Sequence, residues 1–340
     1  MAPSEAATSE TATEEPAAAT EAPAPTTRKG GWLDEINFAV VDSDSAITQI
    51  QAGAIDIYAD GLAASDFPAI VEAGLPYVMN NGLQYDLLYN PGVCNDTTIL
   101  NPFSDPKIRE ATNWLYDRNY LNQEIYGGGS LPKFFTIQTN GPDYADLADV
   151  ARELENYYAY DFDKANQVIS DEMKTLGADL NADGKWEFKG KPVVLTFLIR
   201  NDSDGTRIPM GDYVANQLEK VGFTVDREYK KSTEASPIWI GTDPTEGKWN
   251  MYTAAWSGTV IDRDARTRFQ EMYLPDSLQG MPVFLANKPD PEFQKVGDDL
   301  ANSNYTDAAA RKQLMADALK LSVQDSLQVF LIDGLNYIPY

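Results

Sequence analysis

Segments with strand and helix periodicity alternate along most of this chain, and this alternation restricts its fold more than any other feature. Residues 193–199 form a continuous apolar run typical of a buried strand. Residues 210–221 have helical spacing closed by Gly222, and residues 223–229 alternate as a second strand. A strand, a helix and a strand in this order indicate a βαβ unit, so the sequence predicts an α/β fold.

Other stretches carry the same two signals. We expect further strands at residues 36–40, 55–57, 85–89, 251–256 and 327–332. We expect helices at residues 46–52, 105–126 and 306–321, and another that Asp161 or Asp163 caps and Gly177 ends.

Residues 1–31 differ from the rest of the chain, because they consist almost wholly of Ala, Thr, Glu, Pro and Ser. Such a composition buries too little apolar surface to offset the entropy lost on ordering, so we predict a disordered tether. Tethers of this kind separate a lipid-anchored cysteine from the globular part of surface lipoproteins, and Met1 then stands where that cysteine was removed. An unrelated disordered tail is the alternative.

Charge and missing residue types exclude several function classes. The 27 basic and 52 acidic residues give a formal charge of −25, which repels nucleic acids and anionic membranes. The chain has no histidine, which removes Ser-His-Asp and Cys-His catalysis and nearly all catalytic zinc sites. The single cysteine, Cys94, has no disulfide partner and is expected to be a structural thiol.

Six short segments are informative because of the order in which they occur along the chain. They are WLDEI at 32–36, QAGAIDI at 51–57, DPKIREATNWLYDR at 105–118, YDFDKA at 160–165, QLEKVG at 217–222 and AAWSG at 254–258. Together they resemble bacterial extracellular solute-binding proteins of family 5, the substrate-binding components of peptide, nickel and related ABC importers. The resemblance covers residues 32–340.

This resemblance implies a periplasmic-binding-protein-like fold of type II, built from two lobes. Family members have a longer stretch before residue 32 and continue past residue 340, so we expect one complete lobe plus part of the other. The implied division is a partial first lobe at 32–90, a second lobe at 91–330 and a return segment to the first lobe at 331–340.

The function implied is capture of an oligopeptide or other small polar solute in a cleft between the lobes, with no catalysis and no cofactor. The protein is then a monomer outside the cytoplasm, lipid-anchored in its native precursor, and its partner is an ABC permease in the membrane. Nucleic acid is not among the expected partners.

The resemblance also points to ligand-binding residues near the end of the strand at 251–256. Trp256 and Ser257 occupy the segment that leads into the cleft in the family, although Trp256 is also compatible with an ordinary core position. Dipeptide-binding relatives have an aspartate three residues after this tryptophan, where this chain has Thr259. Asp262 lies close enough to supply that charge, or it forms a surface pair with a neighbouring arginine.

Four further positions follow from the same comparison. Arg207 falls where relatives hold a ligand carboxylate, and a guanidinium suits a bidentate contact; a solvated loop arginine is the alternative. Tyr85, Tyr89 and Asn90 lie on the strand that crosses between lobes, so they face either the cleft or the core.

Residues 179–184, with the sequence DLNADG, match the first half of a calcium-binding loop. Asp179, Asn181, Asp183 and Glu187 would supply the oxygen ligands of a structural calcium ion. Gly190 stands where the bidentate glutamate belongs, so a tight turn without metal is the alternative.

Two other functions remain open from the sequence. A glycoside hydrolase needs only two carboxylates and no histidine, and the chain is rich in Asp and Glu. A shortened chain would also leave a lobe face exposed, which would make it a protein-interaction module.

Overall fold

The computed structural model describes residues 33–202, 205–257, 264–275 and 280–340. The chain divides into two units, Met1–Val41 and Asp42–Tyr340. In the first unit, residues 33–41 form no helix or strand, and Ile36, Phe38 and Val40 are exposed. The prediction of a strand at 36–40 is therefore wrong: alternation marks a strand only where a partner strand takes up its backbone hydrogen bonds, and none is described within this unit.

The second unit contains all the regular elements that the structure describes. Its helices are α1 Ser43–Gln51, α2 Phe67–Glu72, α3 Pro106–Leu115, α4 Arg118–Tyr120, α5 Pro142–Asp146, α6 Ala148–Tyr157, α7 Phe162–Thr175, α8 Arg207–Lys220, α9 Ser232–Trp239, α10 Arg268–Tyr273, α11 Pro282–Ala286, α12 Pro291–Ala301 and α13 Ala308–Asp325. Its strands are β1 Tyr77–Tyr89, β2 Leu131–Pro132, β3 Ala178–Leu180, β4 Trp186–Phe188, β5 Lys191–Pro192, β6 Val194–Arg200, β7 Thr224–Lys230, β8 Met251–Ser257 and β9 Gln328–Pro339.

A mixed six-stranded sheet in the order β2-β9-β1-β8-β6-β7 organises this unit. The long strand β1 pairs antiparallel with both β8 and β9. The βαβ unit predicted from the sequence is present, because β6 and β7 pair in parallel and α8 connects them in the chain. A separate three-stranded sheet, β3-β4-β5, lies between α7 and β6 in the chain.

The pairing of β1 with β9 is interrupted by a bulge. Asn81 pairs with Leu335 and Gln84 with Asp333, so two residues of β1 face one residue of β9. That residue is Gly334, and a Cβ atom there would lie 2.6 Å from the carbonyl oxygen of Leu83. A glycine is therefore required for the two backbones to approach at this point.

Helix α3 begins as the sequence predicts, since the Asp105 side chain accepts a hydrogen bond from Lys107 N at 2.8 Å and Pro106 occupies the first turn. The predicted helix over 105–126 is interrupted, however. Asp117 caps α4 by accepting from the backbone N–H groups of Asn119 and Tyr120, and a π-helical turn follows at Leu121–Ile125. A capping aspartate inside the periodic stretch therefore divides one expected helix into three pieces.

Two buried arginines attach this helical region to the sheet and to α13. Arg109 donates to the carbonyl of Asp325 at 2.9 Å and lies 3.5 Å from the Asp325 carboxylate. Arg118 donates to the carbonyls of Lys133 and Phe330 at 2.7 and 2.8 Å. Both guanidinium groups are enclosed, so these bonds are essential to their burial.

Other predicted features of the fold agree with the structure at some positions and differ at others. Asp161 caps α7 through Lys164 N at 3.0 Å, and Gly177 follows the helix with a φ of +84°, as predicted. No strand forms at 55–57, and the chain instead meets the sheet at Leu62, which bridges to Tyr337. Cys94 is buried, which raises the pKa of its thiol. In the described ranges, no helix is long and apolar enough to cross a membrane.

Candidate functional site

The strand order reverses between β6 and β8, the point at which open α/β sheets place a ligand crevice. From β6 the chain proceeds through α8 to β7 on one side, whereas β8 lies on the other side of β6. The two strands pair at Phe197–Met251 and Leu198–Tyr252, and the backbone N–H of Arg200 at the end of β6 donates to Thr253 Oγ1 at 2.9 Å. Open α/β sheets bind their ligands outside such a point, because side chains and helix termini converge there.

Trp256 lies near the carboxyl end of β8, directly across from Gln84 on β1. Its ring is partly exposed and packs against the edge of the hydrophobic core. The indole nitrogen is buried but makes no hydrogen bond among the described residues. Its neighbour is the Asp86 carboxyl, whose pKa the indole lowers, so a ligand-contacting position and an ordinary tryptophan at the core edge both agree with these contacts.

Arg207 is the first residue of α8 and reaches into the same crevice. It is only 4% exposed, which rules out a solvated loop arginine. Its Nη1 donates to the carbonyl of Thr253 on β8 at a long 3.5 Å, and its Nε has no partner in the described part of the chain. Part of the donor capacity of this guanidinium is thus available for another group.

A small cavity lies on the opposite face of the sheet from Trp256, on the side of Tyr85, which pairs with Ala255. The ring of Tyr85 lies 5.2 Å from that of Tyr126. The lining consists of residues from the segment before α2, from β1 and β9, and from the approach to α8: Ala63, Ala64, Ser65, Leu83, Tyr85, Tyr126, Ser130, Thr206, Gly334, Leu335 and Asn336. Its volume of about 20 Å³ has room for one or two water molecules. A larger solute would require the walls to move apart.

A buried carboxyl, Asp86, occupies the middle of β1 behind Trp256. Its side chain is fully enclosed, and neither oxygen has a hydrogen-bond partner among the described residues. Burial raises the pKa of Asp86 well above its ordinary value, while the nearby Trp256 indole, Arg207 and Lys133 oppose that change. The indole is close enough to lower the pKa but does not reach hydrogen-bond geometry, so burial remains the larger influence and favours the protonated form of Asp86.

Lys133 and Asp333 form a second buried pair on the same side of the sheet. The Lys133 ammonium lies 3.1 Å from Asp333 Oδ2 and donates to the carbonyl of Ile137 at 2.6 Å. The backbone N–H of Thr139 also donates to Asp333 Oδ2, at 2.8 Å. Burial lowers the pKa of Lys133, and Asp333 offsets this effect. The ammonium is therefore already committed to partners other than Asp86.

The structure thus brings three of the predicted ligand-binding residues, Trp256, Arg207 and Tyr85, to one edge of the sheet. Ser257 is the last residue of β8 and lies at the same edge. Thr259 and Asp262 lie outside the described residues. The neighbouring Asp264 forms surface pairs with Arg266 at 3.3 Å and Arg311 at 2.9 Å.

Tyr89 is the last residue of β1 and Asn90 follows it, whereas Trp256 pairs with Gln84 nearer the middle of the strand. The Tyr89 hydroxyl bonds with Thr112 and Tyr116 at 3.0 and 3.2 Å, and burial raises the pKa of Tyr89 to about 12. The Asn90 amide donates to the carbonyls of Pro244 and Trp249 at 2.9 and 2.8 Å. Both side chains are occupied inside the core, so no ligand contact is assigned to them here.

The four residues of the predicted calcium loop surround a hairpin between β3 and β4. The side-chain oxygen of Asn181 accepts from Asp183 N and Lys185 N at 3.0 and 2.9 Å, and its amide nitrogen donates to Glu187 at 3.0 Å. Asp179 is directly across from Glu187 in the hairpin. No cluster of three or more Asp, Glu, His or Cys side chains suited to a metal occurs in the described ranges. Calcium stays a prediction, which a change in Tm on adding or chelating Ca²⁺ would test.

Sequence reasoning missed Asp86, Lys133 and Asp333. The sequence contained one signal for Asp86. It lies inside the apolar run YDLLY, which indicates a buried strand, and an aspartate is rarely buried. The pairing of Lys133 with Asp333 joins two distant segments and has no local pattern.

A protein-family model matches most of this sequence. It is described as bacterial extracellular solute-binding proteins, family 5 Middle, and it covers residues 27–270. No curated protein matches the sequence significantly.

Solved structures resemble the fold at low sequence identity. The oligopeptide-binding protein AppA from Bacillus subtilis, in complex with a nonapeptide, has a TM-score of 0.64 and 18% identity, over 88% of this chain and 54% of that one. NikZ from Campylobacter jejuni, in complex with Ni(L-His), has a TM-score of 0.60 and 15% identity over 88% and 54%. Lactococcal OppA, complexed with an endogenous peptide in the closed conformation, has a TM-score of 0.63 and 16% identity, over 88% of this chain and 54% of that one.

These neighbours are type II periplasmic binding proteins, so the predicted fold class is confirmed. This chain spans about half the length of each of them. The division into lobes at residues 90 and 330 stays a prediction, because Asp42–Tyr340 packs as one unit.

Proposed function

Because the chain belongs to the bacterial extracellular solute-binding proteins of family 5, we propose that it captures a small polar solute or oligopeptide at the carboxyl edge of its sheet. The family expected from the sequence is thereby confirmed. The observation that carries the proposal is that Trp256 and Arg207, at the reversal of strand order between β6 and β8, hold buried donor groups without hydrogen-bond partners among the described residues. A binding site needs an apolar face and a few polar groups of this kind, and no reacting group.

Three residues have distinct roles in this proposal. The Trp256 ring covers apolar or planar parts of the solute, because one face of it borders the crevice. The Arg207 guanidinium holds a carboxylate, since its Nε has no other partner in the described chain. Tyr85 forms a wall of the cavity on the opposite face of the sheet and contacts the part of the solute that reaches this cavity.

The remaining parts of the proposal concern the setting. The protein acts as a monomer outside the cytoplasm, anchored by a lipid in its precursor, and passes the solute to an ABC permease. The peptide and nickel-chelate complexes of the structural neighbours support either class of solute, and the low identities leave the choice between them to experiment.

A second function has its own observation. The first part of β1 and the end of the chain expose apolar side chains, with Val78 at 50%, Met79 at 62% and Tyr340 at 49%. Exposed apolar patches of this kind mark interaction surfaces. If the chain is an interaction module, it will self-associate or bind a protein even when no solute is bound, which light scattering of the purified chain will detect.

The proposed function is tested first by native mass spectrometry for a solute that co-purifies with the protein. Isothermal titration with that solute then compares the wild type with Trp256→Ala. We expect at least a roughly tenfold loss of affinity, because the ring supplies apolar contact area at the crevice. Tyr229→Ala is the control, since Tyr229 is an exposed aromatic residue on the far strand β7. Equal affinity of Trp256→Ala and wild type would place the solute elsewhere.

A further inference from the structure

We propose that Asp86 is a specificity-determining acceptor for a cationic group of the solute, a primary ammonium or a guanidinium. This inference rests on the proposed function and assigns a chemical class to its ligand. It concerns a side chain on β1, separate from the segment after Trp256.

The first argument is the lack of hydrogen bonds. Asp86 lies in the centre of a six-stranded sheet, completely enclosed, and both of its oxygens lack partners among the described residues. Leaving a buried acceptor unpaired is unfavourable, and native proteins rarely tolerate it without a functional reason. An acceptor that the fold leaves unpaired is suited to a donor that arrives with a ligand.

The second argument is the position of Asp86 in the sheet. Across β8 it faces Ala254, whose side chain is small, and Trp256 is the next residue of β8 on the same side of the sheet. The carboxyl therefore lies beside Trp256, near the reversal of strand order between β6 and β8. Trp256 is partly exposed whereas Asp86 is enclosed, so the proposal requires a solute that displaces the Trp256 ring to reach the carboxyl.

The third argument concerns the surrounding charges. Lys133 is held by Asp333 and Ile137, whereas Arg207 donates to the Thr253 carbonyl through Nη1 and its Nε has no partner among the described residues. The groups that face Asp86 from the elements packed around it are Trp256 on β8, Arg207 on α8, Lys133 after β2 and Tyr273 on α10. Neither Lys133 nor Arg207 forms an ion pair with Asp86, so no contact compensates the charge that Asp86 carries when it is ionised.

A cation differs from a neutral donor because it favours the ionised carboxylate. Burial raises the pKa of Asp86 and so favours its protonated form in the absence of a ligand. When an ammonium or guanidinium group enters, the Asp86 O–H gives its proton to the solvent and the carboxylate accepts N–H donors from the solute. Binding of a cationic solute is thus coupled to release of one proton from the protein.

The experiment uses four peptides as probes: Ala-Lys-Ala-Ala and Ala-norleucine-Ala-Ala, each with a free and with an acetylated amino terminus. Isothermal titration in phosphate and in Tris buffer measures affinity and the number of protons released, for wild type, Asp86→Asn and Asp226→Asn. Asp226→Asn is the matched control, because it removes the same charge from an exposed position on β7 of the same sheet.

We expect wild type to prefer at least one cationic peptide over the neutral, acetylated norleucine peptide, with release of about one proton. Asp86→Asn should lose about tenfold to a hundredfold in affinity for the cationic peptide and release no proton, whereas Asp226→Asn should behave as wild type. A melting temperature of Asp86→Asn close to that of wild type excludes misfolding as the cause.

The other outcomes are distinguishable. Equal binding of cationic and neutral peptides, unchanged in Asp86→Asn, would overturn the role of Asp86 and leave the proposed function intact. If none of the four peptides binds to wild type, this inference fails, and the solute that co-purifies then decides whether the protein binds another class of ligand.

Discussion

Asp86 is the residue whose environment differs most from the ordinary, and its effect on stability has a definite sign. Burial raises its pKa in the folded state above the ordinary value of 3.8. The folded protein therefore binds more protons than the unfolded chain between these two pKa values. The contribution of Asp86 to stability is complete below about pH 4 and is lost as the pH rises through the folded-state pKa.

We therefore predict that wild type and Asp86→Asn differ in the pH dependence of their free energy of unfolding. Between about pH 4 and pH 7 the free energy of unfolding of the wild type should fall by about 1 to 3 kcal/mol more than that of the variant. The reason is that only the wild type has a buried carboxyl at this position, which a rise in pH tends to ionise. Urea denaturation at several pH values measures this difference, and other titrating groups cancel because both proteins share them. Parallel curves for the two proteins would contradict it.

Single residues also show how far the site was predictable. Trp256, Arg207 and Tyr85 were identified by their place in family segments, and the fold brings them to one edge. Tyr89 is the last residue of β1 and Asn90 follows it, and both side chains are bonded inside the core, away from Trp256, which pairs with Gln84. The sequence shows which residues share a strand, but it does not show which end of that strand adjoins the crevice.

At the scale of elements, the strands buried on both faces were predicted best. Strands β6 and β8 agree with predicted runs within about a residue or two, because a fully buried strand is apolar throughout. Strand β1 was predicted at 85–89 but begins at Tyr77, since its first residues are exposed and gain their strand conformation from β9. That partner lies far away in sequence and leaves no local pattern.

The bulge between β1 and β9 leads to a prediction for Gly334. Alanine at this position would place its Cβ 2.6 Å from the carbonyl oxygen of Leu83, which is backbone and cannot rotate away. We expect Gly334→Ala to destabilise the protein by about 2 to 4 kcal/mol, because the two strands must separate locally. Val78→Ala is the control, since Val78 is half exposed on the same pair of strands.

The measurement is chemical denaturation of both variants, with hydrogen exchange to locate the change. Loss of amide protection along residues 81–85 and 333–336 is expected only for Gly334→Ala. If Gly334→Ala is as stable as Val78→Ala, the two backbones do not approach as closely as described.

For the whole molecule, the excess of 52 acidic over 27 basic residues sets the response to salt. Repulsion among like charges opposes the compact state, and dissolved ions screen it. We predict that raising NaCl from about 10 mM to about 200 mM at neutral pH raises Tm by about 2 to 4 °C. Calorimetry measures the shift, and the same titration near pH 4.5, where many carboxylates have taken up protons, should show a smaller one. A constant or falling Tm at neutral pH would contradict the prediction.

The central strand β1 also determines when the sheet can assemble. Both of its neighbours come from distant parts of the chain, as in the pairs Leu83–Ser257 and Tyr77–Pro339. During synthesis β1 therefore appears early and waits, with its edges open, until β8 and then β9 have been made. Such a chain completes its sheet late, which keeps it extended for longer and leaves more time for transport across a membrane before folding.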